Sequence, residues 1–240
     1  MDFFSIMRSE LARMIDENGW HNTRVQVKVK TLTAEQAIGN PEHNDYPLVK
    51  GRERMMEADL EGAKGQAFTD RFGNFDGTMD MVADLPLEDS FHRATFIATL
   101  NAAMRRLGLC EGTVHCRDGE PPRCAMELVT YMESRYGNPK IAMVGLQPRM
   151  LEHLSRRFQI RVTDLDEDNI GTEKFGVHIG GPEETNANVQ WCDTAFITGS
   201  TLSNGSLQGM SGDKPTVVFG VTVAGPARLL NLERFCPLGH

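Results

Sequence analysis

NPKIAMVGLQPRMLEHLSRRFQIRVTD, residues 138–164, decides the architecture. Asn138-Pro139 breaks whatever precedes it, and Lys140 to Gly145 is a short apolar run with the length of a strand. Pro148 to Phe158 suits a helix opened by proline, whose missing N–H costs nothing in a first turn. Ile160 to Asp164 is a second β-rich run. Strand, helix, strand at this spacing is a βαβ unit, whose crossover makes the two strands parallel. Downstream, Thr194 to Thr198 and Thr216 to Val221 are two more apolar strands. Upstream, a helix is expected from about Pro121 to Tyr136, ended by Gly137. From Asn138 onward the pattern specifies an α/β fold with a Rossmann-like, mostly parallel sheet.

The first half has a different grain. Phe3, Phe4, Met7, Leu11, Met14 and Ile15 form one helical stripe, stopped at Gly19. Arg24 to Lys30 alternates strictly between valines and polar residues, as a half-buried antiparallel strand does. A loop containing Pro41 and Pro47 leads to a strand at Arg54 to Glu61, a turn over Gly62 to Gly65, and a strand at Gln66 to Thr69. Ser90 is placed to cap a helix from Phe91 to Leu107, closed by Gly108. These elements predict a small α+β antiparallel domain over residues 1–112 and a Rossmann-like domain over 113–240. The boundary falls in a diffuse stretch, Cys110 to Gly119.

With 25 Lys and Arg against 33 Asp and Glu, the formal charge is −8. No basic stripe is present to neutralise phosphates, so nucleic acid is not an expected partner. Charges interrupt the N-terminal helix, and no run approaches 18 apolar residues, so neither a signal peptide nor a membrane span is read. Five dispersed cysteines with no export signal imply thiols in the cytoplasm. A homodimer is the commonest default assembly.

Ligands of open parallel sheets sit at the carboxyl ends of the strands. One such end is the tight turn Gly145-Leu146-Gln147, which lacks dinucleotide glycine spacing. Asp164 ends the next strand, where a Rossmann domain places the acid for a ribose hydroxyl pair, although Asp166, Glu167 and Asp168 also suit a solvated acidic loop. The third end, Thr198, Gly199, Ser200, Thr201, Asn204 and Gly205, allows close backbone approach and offers hydrogen-bond donors for a phosphate or carboxylate. His115, Cys116, Cys124 and Cys236, with Cys110 nearby, are donors that suit zinc, copper or iron, at spacings that match no standard motif. Cys124 falls near the start of a helix, which would lower its thiol pKa. As neighbours on an extended segment, His115 and Cys116 would point to opposite faces. Asn101, mid-helix beside an apolar face, would support a loop or line a cleft.

Several segments resemble one family, the heavy-metal-chelation family of prokaryotic proteins. They are Asp45-Tyr46-Pro47-Leu48-Val49-Lys50-Gly51-Arg52-Glu53, Gly65 to Asp70, Leu100-Asn101-Ala102, Thr113 to Cys116, Thr198 to Thr201 with Asn204-Gly205, and Arg234 to Gly239. The resemblance implies an enolase N-terminal-like domain joined to a Rossmann-like domain, with a metal or metal chelate in the cleft between them. Under it, His115, Cys116, Cys124 and Cys236 become metal candidates. Two other readings stand beside it. One is an enzyme or binding protein for an anionic or nucleotide-like small molecule, with Lys50, Glu53 or Asp70 reaching in from the first domain. The other is a non-catalytic interaction module with inert cysteines.

Overall fold

The computed structural model describes residues 2–21, 27–210 and 214–240. The first helix, α1 (Phe3–Asn18), is capped by Asp2 and stopped by Gly19 in the left-handed region, with Met7, Leu11, Met14 and Ile15 buried. The alternating segment forms β1 (Val27–Thr31); residues 24–26 of the expected strand lie outside the described residues. Two short helices follow where the two prolines suggest a loop: α2 (Ala34–Ile38) and α3 (Pro47–Lys50). In α2, Thr33 and Gln36 form a reciprocal capping box, satisfying two orphan N–H groups.

A hairpin joins β2 (Arg54–Leu60) to β3 (Ala63–Thr69). Its turn is the pair Glu61-Gly62, both at positive φ, tighter than the expected Gly62 to Gly65. β4 (Phe75–Gly77) and α4 (Met79–Ala83) complete this part, giving an antiparallel sheet of order β3-β2-β1-β4. Then comes α5 (Ser90–Arg106), whose N-cap is Asp89, accepting from the His92 N–H, and not Ser90. After α6 (Glu120–Tyr136) the second sheet begins: β5 (Ile141–Val144), α7 (Pro148–Ser155), β6 (Ile160–Thr163), β7 (Glu173–Lys174), β8 (Val177–Gly180), α8 (Thr185–Trp191) and β9 (Thr194–Thr198). It ends with α9 (Ser200–Asn204), α10 (Leu207–Met210), β10 (Thr216–Phe219), α11 (Ala224–Leu229) and β11 (Glu233–Phe235).

The second sheet has the order β11-β10-β9-β5-β6-β8-β7 and is parallel except at the β7–β8 pair. From β5 the chain moves outward through β6 and β8, then returns to the other side of β5 as β9. The strand order therefore reverses between β5 and β9, and their carboxyl ends splay apart there. Both faces are covered, which is why β5 is buried at every position. Ile141, Met143, Phe196 and Val217 pack under Leu128, Met132, Leu151 and Leu154 of α6 and α7. The alternate residues, Ala142, Val144, Ala195, Ile197 and Val218, join the core around α5.

α5 is the shared element. One side lies on β2 and β3, and the other meets α9 and α11. Against β3 the approach leaves no room for a side chain: a Cβ on Gly65 would collide with the backbone carbonyl of Ala98 and the backbone N of Ala102. Neither atom can rotate away. Gly65→Ala is therefore expected to destabilise the protein by about 3 kcal/mol, read as a lower urea midpoint with an unchanged m-value. A midpoint equal to the native one would show that α5 has room to retreat.

Candidate functional site

A cleft of about 680 Å³ opens at the reversal point between β5 and β9. The second sheet supplies one wall, through the turn after β5, the β6 end with Asp164 and Asp166, and α9. The opposite wall comes from the first half: Tyr46 and Leu48 of the α3 region, Glu53, Met55, and Phe68 to Asp70 at the end of β3.

The turn after β5 works because residue 145 is glycine. Its φ is +86°, and a Cβ there would strike the Thr198 side chain at the end of β9. Asp164 secures the same corner. Its Oδ2 accepts the Leu146 N–H at 2.6 Å and its Oδ1 accepts the Asp166 N–H at 2.7 Å. Asp164 is thus both the anchor of two loops and part of the cleft lining.

Glu53 is the electrically unusual residue. Burial is the first cause raising its carboxyl to about 7, with the charges of Asp164, Asp70 and Asp166 adding to it and a hydrogen bond with Ser200 opposing. Arg52 is the one lysine or arginine lining the cleft among the described residues. Its exposed guanidinium stands 3.9 Å from Glu167. Negative charge therefore dominates this end, which disfavours the phosphate or carboxylate expected at Gly199 to Gly205. Arg93 does not offset it, because it turns to the far end of α9 and donates to the carbonyls of Ser203 and Asn204.

At the other end His115, Cys116, Cys124 and Cys236 all line the cleft. His115 and Cys116 share it, contrary to the opposite faces expected of an extended pair, in a segment that is not part of a regular strand. Cys116 Sγ is 3.9 Å from His115 Nδ1. That nitrogen donates to the Cys116 carbonyl at 2.5 Å, and burial lowers the imidazole pKa. The thiols move in the direction opposite to the one expected from a helix start. Burial pushes Cys116 up to about 12 and raises Cys124 and Cys236 as well. Desolvation outweighs the dipole of α6 at Cys124, five residues into that helix and 5 % exposed. A metal needs deprotonated thiols. Among the described residues no group of three or more His, Cys, Asp or Glu side chains stands where it could hold a metal ion. As arranged, these side chains do not fit a directly ligated metal.

Of the other residues singled out in the sequence, Gly145, Gln147, Asp164, Thr198, Gly199, Ser200, Thr201, Asn204, Glu53 and Asp70 line the cleft. Lys50 does not: it is exposed at the end of α3. Gly205 is the left-handed cap ending α9, packed against Arg93. Asn101 is fully buried in support of the backbone. Its Nδ2 donates to the carbonyls of Gln66, Val221 and Thr222 at 3.0–3.2 Å, and its Oδ1 accepts the Gly225 N–H at 2.8 Å. Ser203, within the expected loop after β9, lines the cleft and is buried, and a lining residue that sequence reasoning passes over as a site is Tyr46, also buried. Tyr46 sits inside a motif segment, directly before a helix-opening proline, which was the one available signal.

The fold and cleft define a mixed α/β protein with a ligand-sized cavity at the switch point of its parallel sheet. Residues 128–229 match the family model described as "Putative heavy-metal chelation", the family that the sequence motifs resemble. Two solved proteins of unknown function from this family, DUF364, are similar in fold. One, from Pyrococcus horikoshii, aligns with a TM-score of 0.54 at 11 % identity, over 92 % of this chain and 80 % of its own. The other, from Desulfitobacterium hafniense DCB-2, gives 0.53 at 11 % identity, over 94 % and 83 %. At that identity the likeness speaks for the fold alone. No curated protein matches the chain. No helix among the described residues is long and apolar enough to cross a membrane.

Proposed function

We propose that the switch-point cleft binds a positively charged small molecule, and that any metal reaches it inside a complex whose organic ligand supplies the donors. The observation carrying this reading is Glu53, set into the cleft wall with Asp70, Asp164 and Asp166 around it. A carboxylate held among other carboxylates is relieved by a cation: at an effective dielectric of 20, a unit charge about 6 Å away contributes about 3 kcal/mol. The family description agrees with a metal-bearing guest, and a bare ion is disfavoured because, among the described residues, no group of three or more His, Cys, Asp or Glu side chains stands where it could hold one. Five free cysteines suit a cytoplasmic setting.

Isothermal titration with hexaamminecobalt(III), an inert cationic complex with no open coordination position, tests this at 150 mM salt. Binding is expected, weakened at least tenfold in Glu53→Gln and about fivefold in Asp70→Asn. Affinity should rise with pH through 7, because a cation must displace the Glu53 proton below that value. Preferential binding of citrate or ATP would overturn the reading. So would stoichiometric zinc whose retention depends on Cys116 and Cys124.

A further inference from the structure

The cleft opens where two separate hydrophobic cores reach the surface. Met55, Phe68 and Cys236 belong to or pack against one of them, together with apolar residues of α2 and α3. Cys124, Met150, Phe219 and Phe235 belong to the other, between the parallel sheet and helices α6 and α7. All of these side chains also line the cavity, and Cys116 adds a further sulfur.

This part of the lining is uncharged. A neutral thiol behaves as a small hydrophobe, and burial keeps the three thiols neutral near pH 7. The His115 imidazole is also neutral there, its pKa lowered by burial. Negative charge comes instead from Glu53, Asp70 and the Asp164 to Glu167 loop. The soft, polarisable sulfur of methionine makes favourable contacts with the edges of aromatic rings. Phenyl rings likewise gain from an offset or edge-to-face partner ring. A cavity of about 680 Å³ is far larger than a bare ion needs and suits a guest of drug size.

We infer that the guest is an organic cation with an aromatic body, its positive group at the Glu53 carboxylate and its rings against the sulfur and phenyl side chains. The inference rests on the cationic reading above and adds what the rest of the molecule must be. A cationic complex of a metal with an aromatic chelator falls in the same class.

Isothermal titration at about pH 8, where alkylamines are protonated and Glu53 is ionised, separates the two claims. Methylamine, 2-phenylethylamine and 2-(2-naphthyl)ethylamine carry one cationic group on a growing ring system. Burying apolar carbon tightens binding by up to about fourfold per carbon, so each added ring should gain at least about tenfold. A purely aliphatic pocket would prefer 2-cyclohexylethylamine to its phenyl counterpart; here the phenyl probe should bind about threefold tighter. 2-(2-Naphthyl)ethanol, which lacks the charge, should bind at least about tenfold more weakly than the amine. Phe68→Leu, at a half-buried position, should weaken the naphthyl amine about fivefold and leave hexaamminecobalt(III) binding unchanged, a control for folding. Affinity that is flat along the series would overturn the aromatic body while hexaamminecobalt(III) binding keeps the cation reading in place. So would cyclohexyl binding as tight as phenyl, or an unchanged naphthyl affinity in Phe68→Leu. Naphthylethanol bound as tightly as the amine would remove both readings, as would no binding by any probe, hexaamminecobalt(III) included.

Discussion

Asn101→Ala is expected to lower unfolding free energy by about 4 kcal/mol, among the largest effects of any single side-chain truncation in this chain. The asparagine is fully buried in α5 and makes four hydrogen bonds with backbone groups of Gln66, Val221, Thr222 and Gly225. Alanine would leave the Gln66 and Thr222 carbonyls without the Asn101 donor and the Gly225 N–H without its acceptor, while the Val221 carbonyl keeps the Ala224 N–H. An orphaned buried group costs about 1–3 kcal/mol, and the losses at one residue overlap in part, hence the total of about 4. Asn101→Asp should be no milder, since an ionised carboxylate offers no hydrogen to those carbonyls. Guanidinium unfolding of the purified variants measures this. A loss under 1 kcal/mol would mean that the surrounding backbone groups find other partners.

Glu53→Gln is expected to act in the opposite direction, stabilising the protein above pH 7 by about 3 kcal/mol, or about 5–10 °C in Tm. The ordinary carboxyl value is 4.5 and the folded one about 7. Between them the folded protein keeps a proton that the unfolded chain has released, so this residue's contribution declines as pH rises through that window and is level above it. Glutamine never ionises and still offers an oxygen to Ser200. Differential scanning calorimetry of both proteins from pH 4 to 9 should give curves that nearly coincide at the acid end and diverge between about pH 4.5 and 7. Parallel curves would show that Glu53 titrates normally and has no role in the acidity of the cleft. A gain in stability coupled to a loss of cation binding would be the signature of a site that sacrifices stability for function.

The elements legible from sequence are those with enough residues to display a period. α1, α5 and α6 run 16 or 17 residues, and the apolar strands β5, β9 and β10 are covered on both faces, so their runs are uninterrupted. β4 and β7, three and two residues long, are held by neighbouring strands and show no pattern of their own. In α2 a local signal did exist, the Thr33-x-x-Gln36 capping box, masked by the prolines that follow. At the site, strand-end logic finds Gly145, Asp164 and the Thr198 to Asn204 segment, because topology places those ends together. It does not foresee that burial raises the Cys124 thiol pKa, nor that the Tyr46 hydroxyl has no partner within the described residues. Both depend on what surrounds a side chain in three dimensions, and helix position or residue type carries no record of that.

Both sheets finish on edges that give another chain little to grip. In the parallel sheet the outermost strands are β11 and β7, three and two residues long. In the antiparallel sheet β3 is long enough to recruit a foreign strand, but its outer rim is occupied from within: the Gln66 N–H donates to the Thr113 carbonyl, the Phe68 N–H to Thr222 Oγ1, and the Lys64 carbonyl accepts from the Thr113 hydroxyl. Free ladder groups are what amyloid growth and strand-swapped assembly exploit. Here the residues that join the two sheets also plug that rim, so protection against aggregation comes from the same connections that build the cleft. Among the described residues, the long edge of β3 is therefore closed to a strand from another chain.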